Sequence, residues 1–475
     1  MKCAEDHKYR VQPGTLKRFW VPLLIALPIA SIVMVTIPLN LRFWTGSFGQ
    51  QGLDALYRYR FQRASPGSVT VALDKEIGFY QERIRNDPES GLNRALLAKT
   101  YLKMARATGE TSWYLLAEQT AQESLVKLSF HNDGAILALA RVATAKHDFA
   151  EAIRLVEQVQ GNEDAFAIKV TANLATGSIE KASRAADSLV NISPSVGSLT
   201  LRALVKVAQG NDQAAIQDFR QAIAAEEPEE TGSSVSARTL LGRFYFKRGQ
   251  LNKARQLYEE TLRVLPQYPP ALLNLAELEV RLGDYQAAER HYSEFFLTSQ
   301  RSPTVYDHVV LRGMARVKAL SGDQAGAKEW RDKAEARLRE DLSSFGHQRE
   351  LARLLLERGS SKDVAEALAL MQMEVRVSPK SDRYASRRDA ETLDTLAWAL
   401  SLSGRWQEAR VAMQEALRSG IRDAGLFYRA GVIEQALGNQ PQSVAFFRLA
   451  QETDPMFDEQ AQRALGLGVG LLGLN

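Results

Sequence analysis

The segment Gly468-Val469-Gly470-Leu471-Leu472-Gly473 spells a dinucleotide fingerprint, three glycines that would let a backbone approach a pyrophosphate at a helix N-terminus. That chemistry needs a strand before the glycines and a helix after them. No strand pattern precedes Gly468, and Leu474 and Asn475 follow Gly473, so the match is not expected to bind a nucleotide. The six histidines, at 7, 131, 147, 291, 308 and 347, show no metal-ligand spacing. His147 is expected in a solvated turn, and His291 and His308 at ordinary surface or interhelix positions. Cys3 is the only cysteine, which excludes disulfides and thiolate metal sites from the rest of the chain. Neither a Gly-x-Ser-x-Gly elbow nor a phosphate loop occurs. The expectation is a protein without catalytic, cofactor-binding or metal-binding residues, and so not an enzyme.

The elements that carry the remaining polar residues follow from a repeated pattern. A turn residue, a large apolar residue and then an alanine recur at His147…Ala152, Gly177…Ala182, Gly210…Ala215, Gly249…Ala254, Gly283…Ala288, Gly322…Ala327 and Gly404…Ala409, and Gly438…Ser443 closes the series. Successive copies lie 30, 33, 39, 34, 39, 82 and 34 residues apart. The gap of 82 holds a degenerate copy near Gly359 to Ala367 plus an insertion, and a worn copy lies around Gly109 to Ala117. Glycine ends one amphipathic helix in a left-handed conformation. The polar residue after it starts the next helix. The alanine one turn further on lets the two helices cross closely. Apolar residues at helical spacing precede the turns, as in Leu272, Leu275, Ala276 and Leu278, or Leu393, Leu396, Ala397 and Leu400.

Helix pairs with this period resemble the tetratricopeptide repeat family over residues 85 to 460. Ser236–Pro266, Pro269–Phe296, Ala390–Leu417 and Ala424–Pro455 carry the resemblance best. Gly242 with Tyr245, Ala276, Ala397 and Gly431 occupy its packing positions. It implies an all-α, right-handed superhelical solenoid whose first helices line a concave groove. On that geometry Arg243, Lys247, Arg281, Arg312 and Arg316 form a basic stripe, Phe246 lies beside it, and Trp398 and Tyr428 are aromatic anchors further along. Guanidinium groups bind carboxylates in bidentate fashion, so the partner implied is a protein or peptide, acidic or ending in a carboxylate. The competing arrangement pairs these cations with nearby acids such as Glu277.

Composition and the N-terminus set the surroundings. A net charge of +4 over 475 residues, with no basic patch interleaved with aromatics, argues against nucleic acid. Phe19 to Leu39 carries no charge, and a helix of that length spans about 30 Å, enough to cross a bilayer. An uncleaved signal anchor is the expected reading, with a cleaved signal peptide and a buried soluble helix as alternatives. Lys2, Lys8, Arg10, Lys17 and Arg18 precede the segment while Arg42 follows it, which places the N-terminus in the cytoplasm and the repeats outside.

The expected organisation is a cytoplasmic segment 1–18, a transmembrane helix 19–39, a connector 40–68 with Leu53–Phe61 helical, a first array 69–375, a basic linker 376–389, further repeats 390–460 and an apolar tail 461–475. Arg376–Arg388 is expected to be exposed and hinge-like, and Glu226, Glu227, Glu229 and Glu230 to form a solvated acidic loop. The functional expectation is a membrane-anchored scaffold or adaptor that binds protein partners in its groove, in envelope or membrane-complex assembly. The alternative is a non-catalytic binding subunit for an acidic polysaccharide or exported polymer.

Overall fold

The computed structural model describes residues 53–457, except 229–230, 299–301, 343–344, 346 and 377–386. The apolar run Phe19–Leu39, Cys3, segment 1–18 and the tail 461–475 with its glycine fingerprint lie outside the described residues. Every regular element among the described residues is helical. None of these helices is long and apolar enough to cross a membrane.

One helix, α1 (Ser68–Asn86), leads ten helix pairs. The first five are α2 (Gly91–Thr108) with α3 (Thr111–Lys127), α4 (Asp133–Ala145) with α5 (Phe149–Val156), α6 (Glu163–Ala175) with α7 (Ile179–Ile192), α8 (Val196–Ala208) with α9 (Asp212–Ala224), and α10 (Thr231–Phe246) with α11 (Leu251–Val264). The next three are α12 (Pro269–Leu282) with α13 (Tyr285–Thr298), α14 (Asp307–Leu320) with α15 (Gln324–Asp341), and α16 (Gln348–Arg358) with α17 (Ser361–Glu374). The last two are α18 (Ala390–Leu402) with α19 (Trp406–Ala416) and α20 (Ala424–Ala436) with α21 (Gln440–Thr453).

The repeated residues do what their chemistry suggests. Asp148, Asn211 and Asp323 accept hydrogen bonds from backbone amides of the helix they open, which satisfies donors that a helix start leaves unpaired. Each alanine of the pattern, and Ser443 in the last copy, is buried where its two helices cross. Gly242 leaves room for the ring of Tyr258, since a Cβ there would lie 2.5 Å from that ring. Gly431 does the same for Phe447, at 2.6 Å. Apolar side chains therefore form a run of adjoining clusters along the array and not one centre.

The array also touches itself at long range. The turn inside the first pair meets the loop after the sixth, where Thr111 N donates to Pro303 O and Val305 N to Gly109 O, both at 2.9 Å. The second turn meets the loop after the seventh pair, with the His147 and His347 rings 5.8 Å apart. At the third, Arg388 N and Asp389 N both donate to Ala175 O at 3.1 Å. Gly210 in the fourth turn abuts the Gly420 carbonyl, and Gly249 in the fifth abuts Asp454. Turn and loop are always five pairs apart, so five pairs complete one coil and the second coil lies against the first.

Residues ahead of α1 strap this assembly. A helical Leu53–Phe61 was the expectation, but only Ala55–Tyr57 form a single 3-10 turn. Tyr57 and Tyr59 are both buried, and positions two apart cannot share one helix face, so the chain extends to insert both. Tyr57 O accepts from Arg238 Nε at 2.8 Å, Tyr59 N donates to Glu260 Oε1 at 2.7 Å, and Ala64 N donates to Val264 O at 3.0 Å.

Two other expectations are corrected. Glu226 is not solvated: it is buried in an ion pair with Arg238, whose side chain is also wholly buried. Arg387, placed by sequence in an exposed linker, is buried and bonded to Asp389 at 3.1 Å, because this end of the linker fills the gap between coils. Residues 229–230 and 377–386 lie outside the described residues.

Candidate functional site

First helices pack on first helices along the array, α2 on α4 and onward, and their inner surfaces line two cavities. One, of about 800 Å³, lies within the first six pairs. Arg106, Tyr114, Arg141, Thr200, Tyr268 and Asn274 are among its walls. The other, of about 400 Å³, lies against α16, α18 and α20, with Lys247, Trp398, Trp406, Tyr428 and Arg429 in its lining.

The basic stripe expected from sequence exists as a set of ion pairs. Arg243 Nη1 donates to Glu277 Oε2 at 2.5 Å, with both side chains buried. Burial works against the Arg243 charge, but Glu277 outweighs it and the pKa is raised. Phe246 is fully buried, with the Arg243 and Arg281 guanidinium groups 4.9 and 5.2 Å from its ring centre, so it offers no surface to a partner. Arg281 pairs with Asp454 at 2.6 Å, and Arg312 with Glu357 at 2.7 Å. Arg316 is half-buried; burial lowers its pKa, with Glu357 and Glu277 opposing. Desolvated cations in a low-dielectric interior need counter-charges. The competing arrangement, with Glu277 as acceptor, is the one the fold adopts for Arg243.

Lys247, Trp398 and Tyr428 do converge, in the smaller cavity. Lys247 Nζ donates to Asp423 Oδ2 at 3.1 Å. Burial works against the Asp423 carboxylate, yet Lys247 and the Leu426 amide hold its pKa down, to about 2. Arg429 lies over the Trp398 ring at 4.7 Å and donates to Asp394 Oδ1 at 2.6 Å. Three cations (Lys247, Arg353, Arg429) and four carboxylates (Glu357, Glu391, Asp394, Asp423) line this cavity, so it carries no surplus of positive charge. What it offers is aromatic surface in a polar frame. Trp406 joins Trp398 and Tyr428 there. Its role was legible only as the apolar residue of the repeat pattern.

The clustering of three histidines was not legible in the sequence. His147, His308 and His347 gather where the coils meet, with His308 and His347 rings 4.6 Å apart. His147 is not in a solvated turn: it is half-buried, and its ring stacks 5.8 Å from Phe149. Burial, with His347 adding to it, holds the His308 pKa well below its ordinary value. No group of three or more metal-ligating side chains among the described residues is arranged to hold a metal ion. His291 pairs with Glu279 at 2.7 Å, and that hydrogen bond raises its pKa.

Comparison with known proteins agrees with the helical pairs. Residues 246–295 and 390–422 each match a family model described as tetratricopeptide repeat. Cellulose synthase 1 operon protein C of Komagataeibacter xylinus is 25% identical over 239 residues. The match covers 48% of this chain and 17% of that protein, so this chain spans a small part of the relative's length. A solved structure of PilW, described as a widely conserved type IV pilus biogenesis factor, is 18% identical; the overlap covers 43% of this chain and 93% of that one at a TM-score of 0.36. A human IFIT1 dimer with PPP-AAAA is 13% identical over 81% of this chain and 87% of that one, at a TM-score of 0.43. Overlaps this low say nothing about partners.

Proposed function

We propose that this chain is a tethered binding scaffold that holds a protein partner on the concave face of its second coil. In this reading Phe19–Leu39 anchors it in a membrane with the N-terminus in the cytoplasm, and the repeats outside organise an envelope or membrane complex. The observation that carries it is the open cavity of about 400 Å³ where Trp398, Trp406 and Tyr428 meet a ring of paired charges. Aromatic anchors in a desolvated pocket with a polar rim are what a protein hot spot uses. Because the cations already hold carboxylates, the partner segment is one that inserts an apolar or aromatic side chain, in place of an acidic peptide.

Full-length protein, solubilised from membranes, is the reagent for the test. Partners captured by cross-linking to it are quantified for wild type, Trp398→Ala and Tyr428→Ala. Loss of an anchor of this kind is expected to weaken binding by roughly 30-fold. Unchanged capture with both variants would remove the groove from the account.

A second reading, a non-catalytic binding subunit for an acidic polysaccharide or exported polymer, is supported by the similarity of about half the chain to a protein named for a cellulose synthase operon. It predicts binding of the polymer itself.

A further inference from the structure

The larger cavity contains a cation that no direct ion pair holds. Arg106, on the inner face of α2, lines it, and no ion pair or hydrogen bond joins its guanidinium to another described residue. Every neighbouring cation on that wall has an acid: Arg141 has Asp164, Lys103 has Glu76 at 2.8 Å, and Arg243 has Glu277. The Arg106 side chain is open to the water of the cavity while protein surrounds it. Burial lowers its pKa, and the Arg141 guanidinium adds to that. A guanidinium that faces the cavity and holds no carboxylate is available to an incoming anion, which it can bind in bidentate fashion.

The surroundings narrow the ligand. Tyr114, Tyr268 and Tyr306 cluster around Arg106, brought from the first pair, the start of the sixth and the loop that follows it. Burial raises all three phenol pKa values, so their hydroxyls remain protonated donors at neutral pH. Elsewhere in the lining the buried Thr200 Oγ1 and Asn274 Oδ1 have no hydrogen-bond partner. One is a hydroxyl that donates or accepts and the other a pure acceptor. Aromatic faces, donors, acceptors and one free cation complement a chain of hydroxyls carrying a carboxylate. A peptide would present one backbone donor per residue and need pockets for its side chains, whereas sugar hydroxyls donate and accept at every position.

We infer that the cavity of the first coil binds an acidic oligosaccharide segment, its carboxylate on Arg106 with Arg141 behind, and its hydroxyls on Thr200 and Asn274. The volume of about 800 Å³ lies within the range of sites that enclose a small ligand or short chain segment. This site is separate from the aromatic groove of the second coil and does not depend on the scaffold reading. It gives the polymer reading a place in the molecule.

The test is calorimetric titration of the full-length protein in detergent with three probes: tetragalacturonate, cellotetraose and the acidic peptide Asp-Glu-Asp-Glu. Tetragalacturonate is expected to bind, cellotetraose to bind at least tenfold more weakly, and Arg106→Gln to lose at least tenfold for the acidic sugar. Arg106→Lys keeps charge without the bidentate fork and is expected to fall between. Arg154→Gln, on an exposed helix face away from the cavity, should bind as wild type. Thermal melting of each variant guards against misfolding, and Asn274→Asp offers a second route, since a new carboxylate on the wall should repel the probe. Equal binding of the peptide, binding indifferent to Arg106, or no binding of tetragalacturonate would each overturn the inference.

Discussion

Arg281 Nη2 donates to Asp454 Oδ2 at 2.6 Å, which ties the sixth helix pair to the end of the tenth across 173 positions. The same guanidinium donates to Phe246 O at 3.0 Å, so a single side chain bridges the fifth, sixth and tenth pairs. Repeat arrays ordinarily gain stability from contacts between neighbours alone. In this chain a second set of contacts, five pairs apart, adds to the nearest-neighbour ones. Both coils should therefore lose structure together when that set is broken.

Asp454→Ala should leave Arg281 buried without its counter-charge. The side chains are 3% and 1% exposed, so solvent cannot replace the lost partner. Breaking one side of such a pair costs about 3–5 kcal/mol. Urea denaturation should show the loss, and the double variant Arg281→Met with Asp454→Leu should recover most of it. A midpoint unchanged in Asp454→Ala would show that the coils do not depend on this pair.

Gly210 and Gly283 share a left-handed backbone, with φ of 71° and 79°, but not the same surroundings. A Cβ at Gly283 meets nothing, whereas one at Gly210 collides with the Gly420 carbonyl of the second coil. Alanine at 283 should cost about 1 kcal/mol of backbone strain. Alanine at 210 should cost clearly more, because the coils must separate to admit the methyl group. Equal losses in chemical denaturation would mean that the coils are not in contact at that point.

Tyr57 fixes the strap through both ring and hydroxyl. Its hydroxyl accepts from Arg220 Nε at 3.2 Å and lies 3.4 Å from the Tyr245 hydroxyl. Tyr57→Phe should cost about 1 kcal/mol for the hydrogen bonds. Tyr57→Ala should cost about 3–5 kcal/mol for the vacated core volume. Proteolysis near residues 53–64 should accelerate in the second variant and not in the first.

His347 makes stability depend on pH. Burial lowers its pKa from 6.5 to about 4, with Arg387, Arg337 and Arg349 reinforcing the shift and Glu350 opposing it. Asp341 lies 3.8 Å away, and its own pKa is raised by burial to about 6. Because the folded value for His347 lies below the unfolded one, the unfolded chain takes up the proton first. The His347 contribution, complete above pH 6.5, is then lost as the pH falls towards 4, whereas Asp341, with its folded value raised, acts in the opposite direction. His347→Gln removes this dependence, so the difference in Tm between wild type and variant should shift in the variant's favour between pH 7 and pH 4.5. A constant difference would assign the acid sensitivity to other groups.

Legibility followed sequence distance. The turn residues and the buried alanines arise within one helix pair, so a local pattern specifies them, while the ring that Gly242 admits, Tyr258, came only with the structure. Arg243 and Glu277 are 34 positions apart, one repeat along in the same register, and the period alone brings them face to face. Their pairing was readable as the alternative to an open basic stripe. Burial decided between the two, and burial is not written in spacing.

The sequence by itself determined the helix pairs and their turns, because helical periodicity, glycine conformation and small-residue packing act over a few residues. The tertiary structure decided which inward residues remained available. Coiling brought Asp423 to Lys247 and Asp454 to Arg281, and so consumed the charges that sequence had offered to a partner. It gathered His147, His308 and His347 from three repeats, and it set Arg106 on a cavity wall without an ion-pair partner. The physical reason is the pitch of the coil. Small rotations at each pair accumulate over five pairs, and no local pattern records where their sum places two residues about two hundred positions apart.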